Sequence, residues 1–241
     1  MNAITINNLS KKYGDFTAVD NLNLSIGQGE LFSLLGVNGA GKTTTIKMLS
    51  CLIRPTGGDA VLLGDSITEK PQSVKRKINI SPQETAVAGN LTVEENLEFI
   101  AGLYGQNAKE AKESAAEMGR RFGLDGVFNK KAKRLSGGMQ RRLSIALALI
   151  TNPEIFFLDE PTLGLDVLAR RELWTSIQGL KGKVTIILTP HYLEEAETLS
   201  DRVGVMSKGK LTAIGTVAEL TRQTGAKNLE DAFILLNGGS L

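Results

Sequence analysis

Nine residues, Gly36-Val37-Asn38-Gly39-Ala40-Gly41-Lys42-Thr43-Thr44, constrain this chain more than any others. They fit the spacing G-x-x-x-x-G-K-[ST], in which a glycine-rich loop folds its backbone around phosphate. The pattern requires a strand before it and a helix after it. Glu30 to Leu35 is mostly apolar and reads as the strand. Thr43 to Leu52 carries Ile46, Met48, Leu49 and Leu52 and reads as the helix, with Pro55 to Gly58 ending it. Gly36, Gly39 and Gly41 allow turns closed to other residues and a close approach to an anion. Successive N–H groups then face inward, and the helix N-terminus adds partial positive charge. Lys42 is placed to reach the outer phosphates of a nucleotide, and the Thr43 hydroxyl to ligate Mg²⁺.

The rest of the chain reads as α/β. Ile4 to Asn7, Phe16 to Ile26 and Leu31 to Leu35 are strand-like runs, divided by turns at Gly14-Asp15 and Gly27-Gln28-Gly29. Asp59 to Leu63 and Lys77 to Ser81 are further strands. Between residues 91 and 150 the pattern becomes helical. Thr92 and Glu95 form a capping box ahead of an apolar face of Leu97, Ile100, Ala101 and Tyr104. Lys109 to Phe122 and Ser136 to Thr151 give two more helices. Ile155 to Leu158 and Val184 to Leu188 are continuous apolar runs, as expected of strands buried on both faces. Val203 to Met206 and Leu211 to Ile214 form a hairpin around Gly209. The expected fold is therefore an α/β core with a helical insertion, preceded by β structure.

Composition narrows the function classes. The 241 residues suffice for one large domain, and a net charge of +2 with 5% aromatics argues against a nucleic-acid partner. One cysteine, Cys51, fits a reducing compartment and reads as a small buried apolar residue. The basic clusters Lys75-Arg76-Lys77 and Lys130 to Arg134 read as solvated surface. No signal peptide and no apolar span of membrane length is seen, so a cytoplasmic location is expected.

Phe156-Phe157-Leu158-Asp159-Glu160 puts two carboxylates at the C-terminal end of a buried strand, where ligands of α/β sheets bind. Asp159 suits Mg²⁺, often through water, and Glu160 suits the orientation or deprotonation of an attacking water. Leu135-Ser136-Gly137-Gly138-Met139-Gln140-Arg141-Arg142 decides among phosphate-loop proteins. With these motifs in this order, the chain resembles, over essentially its whole length, the ATP-binding subunit of an ABC transporter.

That resemblance implies a P-loop NTPase core with an N-terminal antiparallel β subdomain and an inserted α-helical subdomain. It implies one domain over 1–241. The β and P-loop core covers about 1–85 and 151–220, the helical subdomain about 86–150 and a short tail about 221–241. It implies ATP and Mg²⁺ as ligands and a head-to-tail pair, formed with a second copy or a homologous subunit. Each ATP then lies between Gly36, Asn38, Gly39, Ala40, Gly41, Lys42, Thr43 and Thr44 of one subunit and Ser136, Gly137 and Gly138 of the other. Tyr13 matches the aromatic that stacks on adenine. Gln83 matches the glutamine that senses Mg²⁺ and water and links to the membrane partner. Asp166 matches the loop that crosses toward the other subunit, and His191 the histidine on the γ-phosphate. The implied catalytic set is Glu160, His191, Gln83 and Lys42, and the implied metal set Thr43, Gln83 and Asp159.

Two positions depart from the family pattern. Met139 stands where Gln is usual and cannot donate a hydrogen bond. Pro190 stands where Thr or Ser precedes the histidine, removing an N–H and pushing Thr189 toward extended backbone. Leu91 to Leu97, Leu103-Tyr104-Gly105 and the tail Asn228 to Phe233 resemble subunits of drug-resistance and sodium-extrusion exporters. Leu97, Phe99 and Ile100 then become candidates to line the groove for a permease, with the subunit held at the cytoplasmic face of the membrane. A soluble ABC-type conformational switch stays open as an alternative. A P-loop kinase or GTPase leaves Leu135 to Arg142 unexplained.

Overall fold

Where the apolar residues fall decides which segments become strands and which become helices. The computed structural model describes residues 1–239; residues 240 and 241, the end of the expected tail, lie outside them. The order opens with β1 (Asn2–Tyr13), β2 (Phe16–Gly27), β3 (Leu31–Gly36) and α1 (Lys42–Leu49). Next come β4 (Gly57–Leu62), β5 (Asp65–Ser66), α2 (Pro71–Lys77) and β6 (Ile78–Ser81). A helical stretch follows, with α3 (Val93–Leu103), α4 (Ala108–Arg121) and α5 (Gly137–Leu149). The chain then returns to β7 (Ile155–Asp159), α6 (Val167–Gln178), β8 (Thr185–Thr189) and α7 (Leu193–Leu199). It ends with β9 (Arg202–Ser207), β10 (Lys210–Gly215), α8 (Val217–Thr224) and α9 (Leu229–Leu236).

Two sheets result. An antiparallel sheet has the order β2-β1-β4-β5. A second sheet, β10-β9-β3-β8-β7-β6, is parallel except for the β9–β10 hairpin. Its central strands are buried on both faces, and the side-chain period of two sorts them between two cores. Ile155 and Phe157 pack with α1 and the antiparallel sheet, while Phe156 and Leu158 pack with α5 and the helical segment. Ile187 joins the first core, Ile186 and Leu188 the second. Each such phenylalanine, fully buried, contributes roughly 1.5–3 kcal/mol. The strands leave no soft direction, so their C-terminal ends, where the loops emerge, are fixed in space.

Several local expectations change. α1 stops at Leu49, well before Pro55. The Leu52 and Ile53 N–H groups turn back to Lys47 O, and Cys51 takes φ 56, a left-handed conformation that closes the helix. Cys51 thus lies beyond the helix and is only half-buried; its burial raises the thiol pKa. Lys77 is not a solvated surface charge: it pairs with Asp65 at 2.8 Å and donates to Leu63 O. Tyr104 ends α3 exposed, off the apolar face that Leu97 and Ala101 bury. The Thr92–Glu95 capping box forms as expected, with reciprocal bonds of 3.1 and 2.7 Å. No helix of the described residues is long and apolar enough to cross a membrane.

Candidate functional site

A cleft of about 310 Å³ opens where β3 meets α1. The loop Asn38 to Thr44 forms its floor, and Tyr13, Phe16, Ala18 and Glu160 form its walls. Gly41 caps α1 at φ 105, and a Cβ there would stand 2.5 Å from Ala18 O. Neither that conformation nor that contact is open to another residue. The loop is therefore pressed against β2, its Ala40 N–H closed back on Val37 O at 3.0 Å, while Asn38 to Thr44 line the cleft and lead into the unpartnered first turn of α1. The residues fit a polyphosphate: an N–H cradle, a helix N-terminus and one lysine. Lys42 Nζ donates to Gly36 O at 2.6 Å and to Val37 O at 3.3 Å, bracing the loop from inside. Burial lowers the Lys42 pKa, opposed by the nearby Glu160 and Asp159 carboxylates. Thr43 Oγ1 and the Asp159 carboxylate are hard oxygen donors, which fit Mg²⁺ held jointly with substrate phosphates.

The carboxylate pair Asp159 and Glu160 sits at the end of β7. Asp159 is 7% exposed, and its Oδ1 accepts from Thr189 Oγ1 at 2.5 Å. Glu160 leaves the strand at φ 46, a left-handed conformation unusual for a non-glycine residue. Its N–H donates to Thr189 O at 2.9 Å, so the β8 end holds this turn. Tyr13 rises from the β1–β2 turn, half exposed, with Lys11 Nζ 5.2 Å from its ring centre.

The remaining expected site residues lie outside this cleft. Ser136 caps α5, its Oγ accepting from Met139 N–H at 3.3 Å. A Cβ on Gly137 would meet nothing, whereas one on Gly138 would stand 2.9 Å from Ala169 Cβ. Gly137 therefore keeps a surface open, and Gly138 lets α5 and α6 pack closely. Met139 is half-buried against the helical core. Asp166 caps α6 through Ala169 N–H at 2.9 Å. His191 is exposed after β8, its ring edge-on to Tyr192 at 4.7 Å. Pro190 is buried behind it, in a chain whose described peptide bonds are all trans. Gln83 is exposed in the loop after β6. The phosphate loop, Tyr13 and Glu160 line one cleft; Ser136 to Gly138, Asp166, His191 and Gln83 are not in that lining, although Gln83 O and Asp159 O accept from the same Arg141 guanidinium.

Sequence reasoning missed two buried charges behind the site. Arg141 bonds backbone carbonyls around Glu160, and Glu195 accepts from Thr162 Oγ1 at 2.9 Å with both residues fully buried. The Trp174 indole nitrogen and Glu195 Oε1 are both buried with no hydrogen-bond partner among the described residues. Burial pushes the Glu195 carboxyl up to about 7; Thr162, Trp174, the His191 backbone and Arg170 only partly offset it. A raised carboxyl pKa favours the fold when protonated. This stabilisation is full below about pH 4.5 and lost as pH rises toward about 7. Glu195→Gln keeps an acceptor for Thr162 without a charge. Its thermal midpoint should exceed that of the unsubstituted chain at pH 8 by several degrees, an effect on the order of 3 kcal/mol, and converge with it near pH 4.5. A difference that does not change with pH would remove the buried charge as its cause.

Comparisons agree with the geometry. Residues 19–163 match the ABC transporter family. The chain is 41% identical over 234 residues to the probable multidrug ABC transporter ATP-binding protein YbhF of Escherichia coli. That match covers 95% of this chain but 40% of YbhF. It is 40% identical to the daunorubicin resistance ATP-binding protein DrrA3 of Streptomyces coeruleorubidus, over 99% of this chain and 75% of that one. A solved structure, the dimeric post-hydrolysis state of the ATP-binding cassette MJ0796 bound to ADP and Pi, superposes with a TM-score of 0.78. It is 27% identical, covering 88% of this chain and 98% of the other. A phosphate loop set between two sheets, two carboxylates at the end of β7 and a serine-capped glycine pair opening α5 thus converge with sequence kinship: the chain belongs to the ABC transporter family, among its ATP-binding proteins.

Proposed function

We propose that this chain binds and hydrolyses ATP to power transport by a separate permease, through closure of a pair of ATP-binding subunits. The observation that carries the reading is the incomplete cleft. It holds a phosphate cradle, a lysine and a carboxylate, but leaves one side to solvent. Ser136 and Gly137 present a hydroxyl and bare N–H groups at the start of α5, away from that cleft. Two copies placed head to tail let each α5 complete the other's site, in line with the dimeric solved relative. Leu163, Val167 and Leu168, exposed apolar residues beside Asp166, belong on such an interface.

Each residue has a role in this reading. The N–H groups of Gly36 to Thr44, with the Asn38 and Ala40 positions, hold the β- and γ-phosphates, and Lys42 neutralises them. Tyr13 stacks on the adenine. Thr43, Asp159 and Gln83 hold Mg²⁺, which when bound neutralises charge developing on the phosphates. Glu160 orients the attacking water and takes its proton. His191 contacts the γ-phosphate, and Asp166 crosses toward the partner subunit. Residues about 1–85 and 151–220 act as the catalytic body, about 86–150 as a helical lever and about 221–241 as a tail.

The permease side of the reading falls on α3. Phe99, 57% exposed, lines a groove with Leu91, Gly102 and Ala111, edged by Glu95, Glu98 and Gln106. Leu97 is fully buried and Ile100 packs against the core, so neither joins this groove, contrary to expectation. A permease segment seated there holds the subunit peripherally at the cytoplasmic face. Relatives named for multidrug and daunorubicin resistance favour an exporter. Co-purification with the cognate permease should drop at least tenfold in Phe99→Asp while ATP binding stays unchanged. Retention at the original level would move the permease contact elsewhere.

A further inference from the structure

Helix α5 carries two adjacent buried guanidinium groups that face different neighbours. Arg142 donates to Phe122 O at 3.2 Å and pairs with Glu172 at 3.1 Å, tying α5 to the end of α4 and to α6. Arg141 turns toward the site. Its Nε donates to Pro161 O at 2.9 Å and its Nη2 to Asp159 O at 3.1 Å. Its Nη1 donates to Pro82 O at 2.5 Å and to Gln83 O at 3.2 Å.

Asp159 and Pro161 are the residues on either side of Glu160. One planar fork therefore grips the backbone before and after Glu160 and, at its other edge, the loop that carries Gln83. Only a guanidinium presents donors in this fixed arrangement. Burial lowers the Arg141 pKa to about 10, opposed by Asp159 and Glu195, so the group stays charged at neutral pH. The left-handed Glu160 backbone persists only when its surroundings over-determine it. Arg141 on the two flanking carbonyls and Thr189 on the Glu160 N–H supply that constraint.

We propose that Arg141 is a positioning residue: it fixes the Glu160 carboxylate and the Gln83 loop relative to α5, so that a shift of α5 is transmitted to the hydrolytic site. The inference rests on the reading of Glu160 as the water-activating group. Ser136 lies five residues before Arg141, about 7.5 Å along the helix axis. A phosphate of the partner's nucleotide seated on Ser136 and Gly137 thereby acts, through one rigid helix and one side chain, on the chain's own Glu160. Each site is in this way informed of the other's occupancy.

The test compares Arg141→Lys, which keeps charge and loses the fork, with Arg142→Lys, the same change at a buried arginine on the same helix that faces away from the site. Steady-state ATP hydrolysis and amide hydrogen exchange are measured on each, after thermal unfolding has verified the fold. Arg141→Lys should lower kcat by about 10–100-fold with KM for ATP nearly unchanged, because a displaced catalytic group costs rate and the phosphate loop is untouched. Exchange should rise at the Gln83, Glu84, Glu160 and Thr162 amides. Arg142→Lys should do neither. Equal kcat losses in the two variants, or unchanged exchange at those amides, would overturn the proposal. If Arg141→Lys does not fold, Arg141→Gln serves in its place under the same criteria. A wild-type chain that fails to hydrolyse ATP sinks the ATPase reading instead, and the exchange comparison still decides whether Arg141 holds these loops.

Discussion

Glu160→Gln should bind Mg·ATP like the unsubstituted chain and hydrolyse it about 10²–10⁴-fold more slowly. The amide has the shape of the carboxylate but cannot accept a proton from water. The backbone that presents it should not change. Its N–H bond to Thr189 O and the grip of Arg141 on Asp159 O and Pro161 O use main-chain atoms that the substitution leaves alone. Affinity should be kept, since Glu160 forms a wall of the cleft while the phosphate contacts come from the loop opposite. Removing a carboxylate facing Lys42 also relieves that lysine of one competing partner. Bound ATP should therefore accumulate, and sizing chromatography in Mg·ATP should show a dimer that the hydrolysing chain populates only briefly. Hydrolysis at the original rate would take the proton-accepting role away from Glu160. An inactive variant that stays monomeric would indicate that the permease has to bring the pair together.

What was legible in the sequence was whatever is written locally. The apolar runs 155–158 and 184–188 became central strands because double-sided burial demands unbroken hydrophobicity. The phosphate loop and Glu160 could be read because each is a short motif at a strand end, and the fold brings them into one cleft with Tyr13. The end of α1 was misplaced because the stop signal is the left-handed Cys51, a residue with no turn propensity to announce it, whereas Pro55 was conspicuous. Lys77 looked like one more surface charge; its partner Asp65 lies in β5, at the other end of α2, and is invisible to a pattern of like charges. Arg141 stood in plain view inside a recognised motif, yet its partners are four carbonyl oxygens, and a carbonyl leaves no trace in a sequence. Glu195 resembles its neighbour Glu194 in the first turn of α7, and only burial separates it from that exposed residue.

Lys42→Ala should have the opposite signature to Glu160→Gln, losing binding as well as turnover. In the structure the ammonium does two things. It bonds Gly36 O and Val37 O across the loop, and it puts the one lysine charge in the cleft lining beside the phosphate position. The first contribution shapes the loop before any ligand arrives. The second is a charge-assisted contact of roughly 1.5–3 kcal/mol, so its removal should weaken ATP binding about 10–100-fold. Burial already disfavours the charged form of this lysine, and only the facing carboxylates oppose that. An anionic ligand should then reinforce the ammonium, and the alanine variant forfeits this gain entirely. Hydrolysis should fall below detection, since the transferred phosphoryl group loses a cation that matters most as its charge redistributes. Lys42→Arg should not rescue it: a planar fork cannot place one compact charge among carbonyls 2.6 and 3.3 Å away. Titration with a fluorescent ATP analogue and a steady-state assay decide the matter. Unchanged affinity in Lys42→Ala would mean that the N–H cradle holds the phosphates alone, and that the lysine serves the loop rather than the ligand.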